Sequence, residues 1–186
     1  MATLHSLLAI RHSLLAIPPP MRTLRPLVLL FVGVLLLPAL ATAQTPDYGT
    51  TDFETSGAPE AQDAFTRGLL MLHSFEYVDA RAAFQEALAI DPDFAMAAWG
   101  EAMTHNHPIW MRQDREAALK ALQTVGNTPE AQLAAAPTAR EKAYLRTLHV
   151  LFGVGSDDPM SKEARDDAYA EAMADLAAQY PEDLDA

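Results

Sequence analysis

Residues 61–92 read AQDAFTRGLLMLHSFEYVDARAAFQEALAIDP, and this stretch decides the fold. Phe65, Leu69 and Leu72 recur at i, i+4 and i+7, which makes one apolar face of a helix over Ala61–His73. Ser74-Phe75-Glu76 is a turn. A second helix over Val78–Ile90 carries Ala80, Ala83, Phe84, Ala87 and Leu88 along one stripe, and Asp91-Pro92-Asp93 stops it. Gly68 and Ala80 are expected to be small because the two helix backbones cross closely there, with Phe84 filling the space beside the crossing.

A second unit begins on schedule. Phe94–His105 is apolar and alanine-rich, with Trp99 early and Ala102 as its small residue. Asn106-His107-Pro108-Ile109-Trp110 makes a longer turn, and Asp114–Val125 supplies the return helix with Ala118, Leu122 and Val125 at the 4, 3 spacing of Ala80, Phe84 and Ala87. Gly126-Asn127-Thr128-Pro129 ends it. Thr138–Phe152 is a third helical stretch, opened by Thr138 with Glu141 three residues on, a capping-box arrangement. Gly153–Pro159 is a loop. Ser161 then caps a helix to Gln179 in which Tyr169, Met173 and Leu176 repeat the 4, 3 spacing, and Tyr180-Pro181-Glu182-Asp183 repeats the stop seen at Ile90–Asp93.

Gly68, Ala80, Phe84, Ala87 and Pro92 stand at spacings of 12, 4, 3 and 5. In that order they resemble the tetratricopeptide repeat (TPR), a 34-residue pair of antiparallel helices. Ala64, Arg67 and Met71 depart from it, standing where the repeat carries larger residues or tyrosine. The likeness covers residues 60–125 and, more loosely, 160–186. His73–Tyr77 and Ala98–Trp110 are also similar to segments of large exported bacterial TPR proteins of unassigned function. The resemblance implies an all-α chain of TPR-like antiparallel hairpins, stacked into a short right-handed solenoid over residues 60–186. Such an array normally closes with a polar capping helix. Leu184-Asp185-Ala186 instead starts another helix, so the array is expected to continue beyond this sequence.

The front of the chain has a different character. Met21–Pro26 is basic, Leu27–Leu40 is apolar, and Ala41-Thr42-Ala43 offers small residues, which is the pattern of a secretory signal peptide over residues 21–43 cleaved before Gln44. The apolar run has 14 residues, where a membrane-spanning helix needs roughly 20. The protein is therefore expected to be exported, periplasmic or extracellular, without a stable membrane anchor. Residues 1–20 contain HSLLAI twice, at 5–10 and 12–17, ahead of three prolines, and read as an upstream extension of the 1–43 leader. Residues 44–59 are rich in Thr, Asp, Ser, Gly and Pro and read as a linker, in which Tyr48 and Phe53 are able to dock on the helices.

Charge narrows the partners. The whole chain carries −12; residues 1–43 hold three arginines and no acid, which leaves −15 for residues 44–186. Such a surface repels phosphate backbones and anionic membranes, so nucleic acid is excluded as an expected partner. Without cysteine there is no disulfide framework, and stability rests on helix packing.

The resemblance puts groove-lining positions at Phe65, Leu69, Leu72 and His73 in the first unit. In the second it puts them at Met96, Trp99, Met103, Asn106 and His107. A groove of this kind takes a protein or peptide partner, unless its residues pack on a neighbouring unit or on the Tyr48–Phe53 segment. A second set is His73, His105 and His107, with Met103, Met111 and Trp110 nearby in sequence. Imidazole with methionine suits copper, and imidazole is a common zinc ligand, so the alternative expectation is a periplasmic copper- or zinc-binding or metalloenzyme module, provided several rings converge. A histidine at a helix end also serves simply to cap carbonyls. No phosphate loop, nucleophilic cysteine or His-Glu-x-x-His motif is present, so the chain reads as a binding scaffold in preference to an enzyme. Arg67 and Arg81 are expected to pair with carboxylates such as Asp63 and Glu86. The Asp157-Asp158 and Asp166-Asp167 pairs read as solvated surface.

Overall fold

Pro59 opens the first helix, because its fixed φ and missing N–H suit a first turn whose amides have no partner. The computed structural model describes residues 48–157 and 159–185. The leader expected at residues 1–43 lies outside them. Helix α1 spans Pro59–His73 and α2 Tyr77–Ile90; α3 spans Ala95–Met103 and α4 Arg115–Leu122. Three more follow: α5 Pro129–Ala135, α6 Ala139–Phe152 and α7 Lys162–Gln179. The all-α reading is met. Among the described residues no helix is long and apolar enough to cross a membrane.

Helix α1 packs on α2, α2 on α3 and α3 on α4, while α1 also touches α3. Helix α6 packs against α3, α4, α5 and α7. Phe84 sits fully buried where α1, α2 and α3 meet. A Cβ at Gly68 would lie 2.9 Å from its ring, and one at Gly100 would lie 2.3 Å from it. The two glycines thus bracket one aromatic ring, and the ring dictates their size. Gly100 was not singled out by the repeat spacing, which placed the small residue of the second unit at Ala102, itself also buried.

The α1–α2 turn closes without glycine. Phe75 adopts the left-handed conformation, φ 63°, at the place where helix ends normally use glycine. Its N–H donates to the Leu72 carbonyl at 3.1 Å, and the Glu76 N–H donates to Met71 at 2.9 Å, so the last carbonyls of α1 are satisfied. The geometry is sound and the residue is unfavourable, by about 1 kcal/mol.

Two elements differ from the sequence reading. The expected long turn at Asn106–Trp110 is a small antiparallel hairpin: β1 Asn106–His107 pairs with β2 Arg112–Gln113 around a 3-10 turn at Pro108–Trp110. The Gln113 amide donates to Asn106 Oδ1 at 3.2 Å, which ties the hairpin base. Helix α5 was passed over. Thr128 caps it by accepting from the Ala131 N–H, and Pro129 starts it. Elsewhere the signals held: Thr138 and Glu141 form a reciprocal capping box, and Ser161 caps α7.

Gly100→Ala would drive a methyl into the Phe84 ring at a point with no free space. A loss of about 1–3 kcal/mol is expected, the usual cost of overpacking. Urea denaturation should show a lower midpoint at unchanged slope; an unshifted midpoint would mean that the ring is not held against α3.

Candidate functional site

Phe65, Leu69, Met96 and Trp99 join in one apolar wall between α1 and α3, and that wall is covered. Phe65, Leu69 and Met96 are fully buried, and Trp99 nearly so. Phe53 of the segment before α1 lies on this wall. Its ring is 5.9 Å from that of Phe65, stacked at 6.2 Å on Trp99, and edge-on at 5.2 Å to Tyr144. The Arg140 guanidinium caps the other face at 4.2 Å, a cation–π contact, and donates to the Glu54 carbonyl. Of the two aromatic groups expected to dock, Phe53 lies buried on the wall. The Trp99 indole N–H is buried with no hydrogen-bond partner.

The nine expected groove residues therefore divide. Phe65, Leu69, Leu72, Met96, Trp99 and Asn106 are buried, Met103 and His107 are half-buried, and His73 is exposed. A partner reaches the apolar part only by displacing Phe53.

The three histidines line two different cavities. His73 borders one of about 690 Å³, between the 50–54 segment, Leu70, Arg140 and the turn Gln179–Asp185. Its Nε2 is 3.7 Å from Asp185 Oδ1. His105 and His107 border a second cavity, of about 600 Å³, together with Arg81, Arg112, Gln113, Asp114, Arg115 and Ala117. His107 Nε2 is 2.9 Å from the Thr104 carbonyl, which can only accept, so this nitrogen carries the proton. Burial and then the Arg81 guanidinium hold His105 below the usual imidazole range, against an opposing pull from Asp114. Among the described residues no group of three or more histidines and carboxylates is placed to share a metal ion.

The arginine expectation is half met. Arg67 pairs with Glu86 at 2.5 Å. Arg81 does not find a carboxylate; it donates to the Thr104 hydroxyl at 3.0 Å and the Thr104 carbonyl at 3.3 Å. The reason is reach: the Thr104 turn at the end of α3 stands beside α2, and the guanidinium folds onto it. No spacing in the sequence flagged this.

An exposed aromatic face completes the picture. His107 stacks on Tyr77 at 3.9 Å, and Trp110 meets Tyr77 at 6.0 Å and Phe75 at 6.1 Å, both edge-on. Phe75 is 49% exposed and Trp110 52%; Ile109 and Met111 beside them are more exposed still. Met111, like Phe75, is a non-glycine residue in the left-handed region, with φ 54°. Against known proteins, the chain matches no family model, no curated protein and no solved structure.

Two outcomes follow from the covered wall. Phe53→Ala should cost about 3 kcal/mol, in the range for losing a packed aromatic side chain. In a Trp110→Phe background, Trp99 emission should shift to the red as its ring is wetted, and an unchanged spectrum would contradict the docking of Phe53. The second concerns acid. Burial would raise the Asp183 carboxyl, but hydrogen bonds from Arg140 at 2.6 Å and the Tyr144 hydroxyl at 2.8 Å, with one from the Asp185 N–H, leave it below the usual carboxylate range. A depressed folded value contributes stability above the unfolded one and loses it as pH falls through the folded one. Asp183→Asn should thus be less stable than the parent at neutral pH, with the difference shrinking as pH drops below the carboxylate range. A difference constant with pH would exclude the linkage.

Proposed function

We propose that this chain is an exported TPR-like scaffold, and that its outward aromatic face binds a peptide segment of a partner protein. The face consists of Phe75, Tyr77, Ile109, Trp110 and Met111. The helical order supports the repeat reading: hairpin α1–α2 is followed by hairpin α3–α4, with α1 against α3. The signal-like residues 21–43 support export. The inner wall is already occupied by Phe53, so partner recognition is assigned to the surface that remains open.

One observation carries the assignment. Phe75 occupies a backbone position where glycine costs nothing and phenylalanine is strained, and its ring is turned out beside Trp110. Strain of this kind is kept where the side chain is needed. Trp and Tyr supply large contact area with few rotatable bonds, which makes them strong anchors in interfaces. An exposed cluster of such rings is uncommon on a monomer and marks an interaction surface.

The test is a peptide display selection against the folded protein, followed by affinity measurement of the selected peptides on variants. Trp110→Ala should weaken binding by roughly tenfold or more, as a central aromatic anchor does. Phe75→Gly should also weaken binding while leaving stability within about 0.5 kcal/mol of the parent, because the relief of strain offsets the lost contacts. Peptides that bind both variants as well as the parent would refute the assignment. Peptides whose binding instead improves in Phe53→Ala would move recognition to the inner wall.

A further inference from the structure

The second cavity holds an unusual concentration of positive charge for a chain of formal charge −12. Arg81 reaches it from α2, Arg112 from β2 and Arg115 from the start of α4, with His105 and His107 between them. Among the described residues of its lining, Asp114 is the one carboxylate. That carboxylate is turned toward α4, where it accepts from the Ala117 N–H at 3.0 Å as the helix cap.

The guanidinium groups are oriented without being neutralised. Arg81 is held by the Thr104 hydroxyl and carbonyl. Arg115 donates to the Phe152 carbonyl at 2.6 Å and the Gly153 carbonyl at 3.1 Å, at the end of α6. Neutral oxygens fix a guanidinium in place and leave its charge and its remaining N–H groups available. A fourth arginine adjoins the lining through Gln113. Arg165 is buried and donates to the Leu151 and Met160 carbonyls and to Gln113, which itself lines the cavity. None of these four arginines has an ion-pair partner among the described residues. Arg67, Arg140 and Lys162, by contrast, each meet a carboxylate. An acid-rich protein has ample means to pair its bases. Several held apart from carboxylates around one space leave that space complementary to an anion.

We infer that this cavity binds a small oxyanion, a molecule presenting a carboxylate or phosphate group to Arg81, Arg112 and Arg115. Planar guanidinium forks match both groups by paired, charge-assisted hydrogen bonds. His107 adds little direct donation, since its Nε2 proton is spent on Thr104. His105, held below the usual imidazole range by burial and Arg81, is a further hydrogen-bonding group in the lining. The same guanidinium charges repel a metal cation from His105 and His107. The site is independent of the aromatic face, although His107 borders both.

Isothermal titration of the protein from Gln44 to Ala186 tests this with two probes: inorganic phosphate and citrate. At least one should bind saturably, and the affinity should fall as salt is raised. Saturation by phosphate alone identifies a phosphate ligand, and by citrate alone a carboxylate ligand. Arg112→Gln changes an exposed side chain with no structural partner among the described residues, so the fold should persist by circular dichroism while affinity falls roughly tenfold. Arg146→Gln, an exposed position outside the cavity lining, should leave affinity unchanged, and so should Trp110→Ala, which separates this site from the peptide face. Three results would overturn the inference: no saturable binding of either probe at millimolar concentration, equal weakening by Arg112→Gln and Arg146→Gln, or uptake of copper or zinc without uptake of either anion.

Discussion

One buried carboxylate ties the start of α6 to the segment before α1, the strap that covers the apolar wall. Glu141 is 1% exposed and accepts four hydrogen bonds. One oxygen takes the Thr138 N–H and hydroxyl and so closes the capping box of α6. The other takes the Ser56 N–H and hydroxyl, both at 2.7 Å. A buried charge is tolerable only when its lone pairs are filled, and here helix cap and strap are needed together to fill them. The strap is bound further along by Asp91, which accepts from the Ala58 N–H, and by Gln62, which donates to the Gly57 carbonyl. A Cβ at Gly57 would lie 2.3 Å from the Phe94 ring, so glycine alone lets the backbone pass there. With those points fixed, Phe53 has one place to go, the wall made by Phe65, Trp99 and Tyr144.

The other constraint is steric. A ring at position 84 between two glycines sets how closely three helices approach, and interiors packed this densely do not deform by small amounts. The wall and the hairpin beyond α3 are therefore carried on a rigid base. What varies along the chain is how the ends are finished. The start of α1 is covered by the strap, while Arg140 and Tyr144 draw in the turn after α7 through Asp183. The segment before α1 and the turn after α7 thus converge on α6, which is also the helix whose end carbonyls orient Arg115 and Arg165.

Much of the helical framework was legible because it depends on local signals. Period, capping residues and proline stops are written in consecutive residues, and Phe65, Leu69, Phe84, Thr138, Glu141 and Ser161 did what those signals require. Helix α5 was missed although Thr128-Pro129 is itself a start signal; seven residues are too few for a period to show. The β1–β2 hairpin was missed because Met111, not glycine or asparagine, takes its left-handed position, so no turn residue marks it. The sites were less legible for a different reason. The repeat resemblance puts Trp99 and Met96 on a groove wall, but does not say whether that wall is open; the answer depends on Phe53, more than forty residues away from Trp99. Arg112 and Arg115 are neighbours in sequence, but Arg81 and Arg165 join them only through tertiary packing, and in sequence each looks like an ordinary surface base.

The two open sites share a physical logic that their separation in sequence hides. Each is a place where the chain accepts a local cost that packing does not repay. At the aromatic face the cost is backbone strain at Phe75 and Met111, with large apolar rings left in water. At the cavity it is guanidinium charge kept from carboxylates in a protein rich in them, with Arg165 buried among neutral acceptors. A sequence under selection for stability alone removes such costs by single substitutions: glycine at position 75, or a carboxylate opposite Arg112. The buried wall shows no such conflict apart from one unpaired indole N–H. Both proposed sites draw on the same small hairpin after α3, with Trp110 in its turn and Arg112 on its second strand.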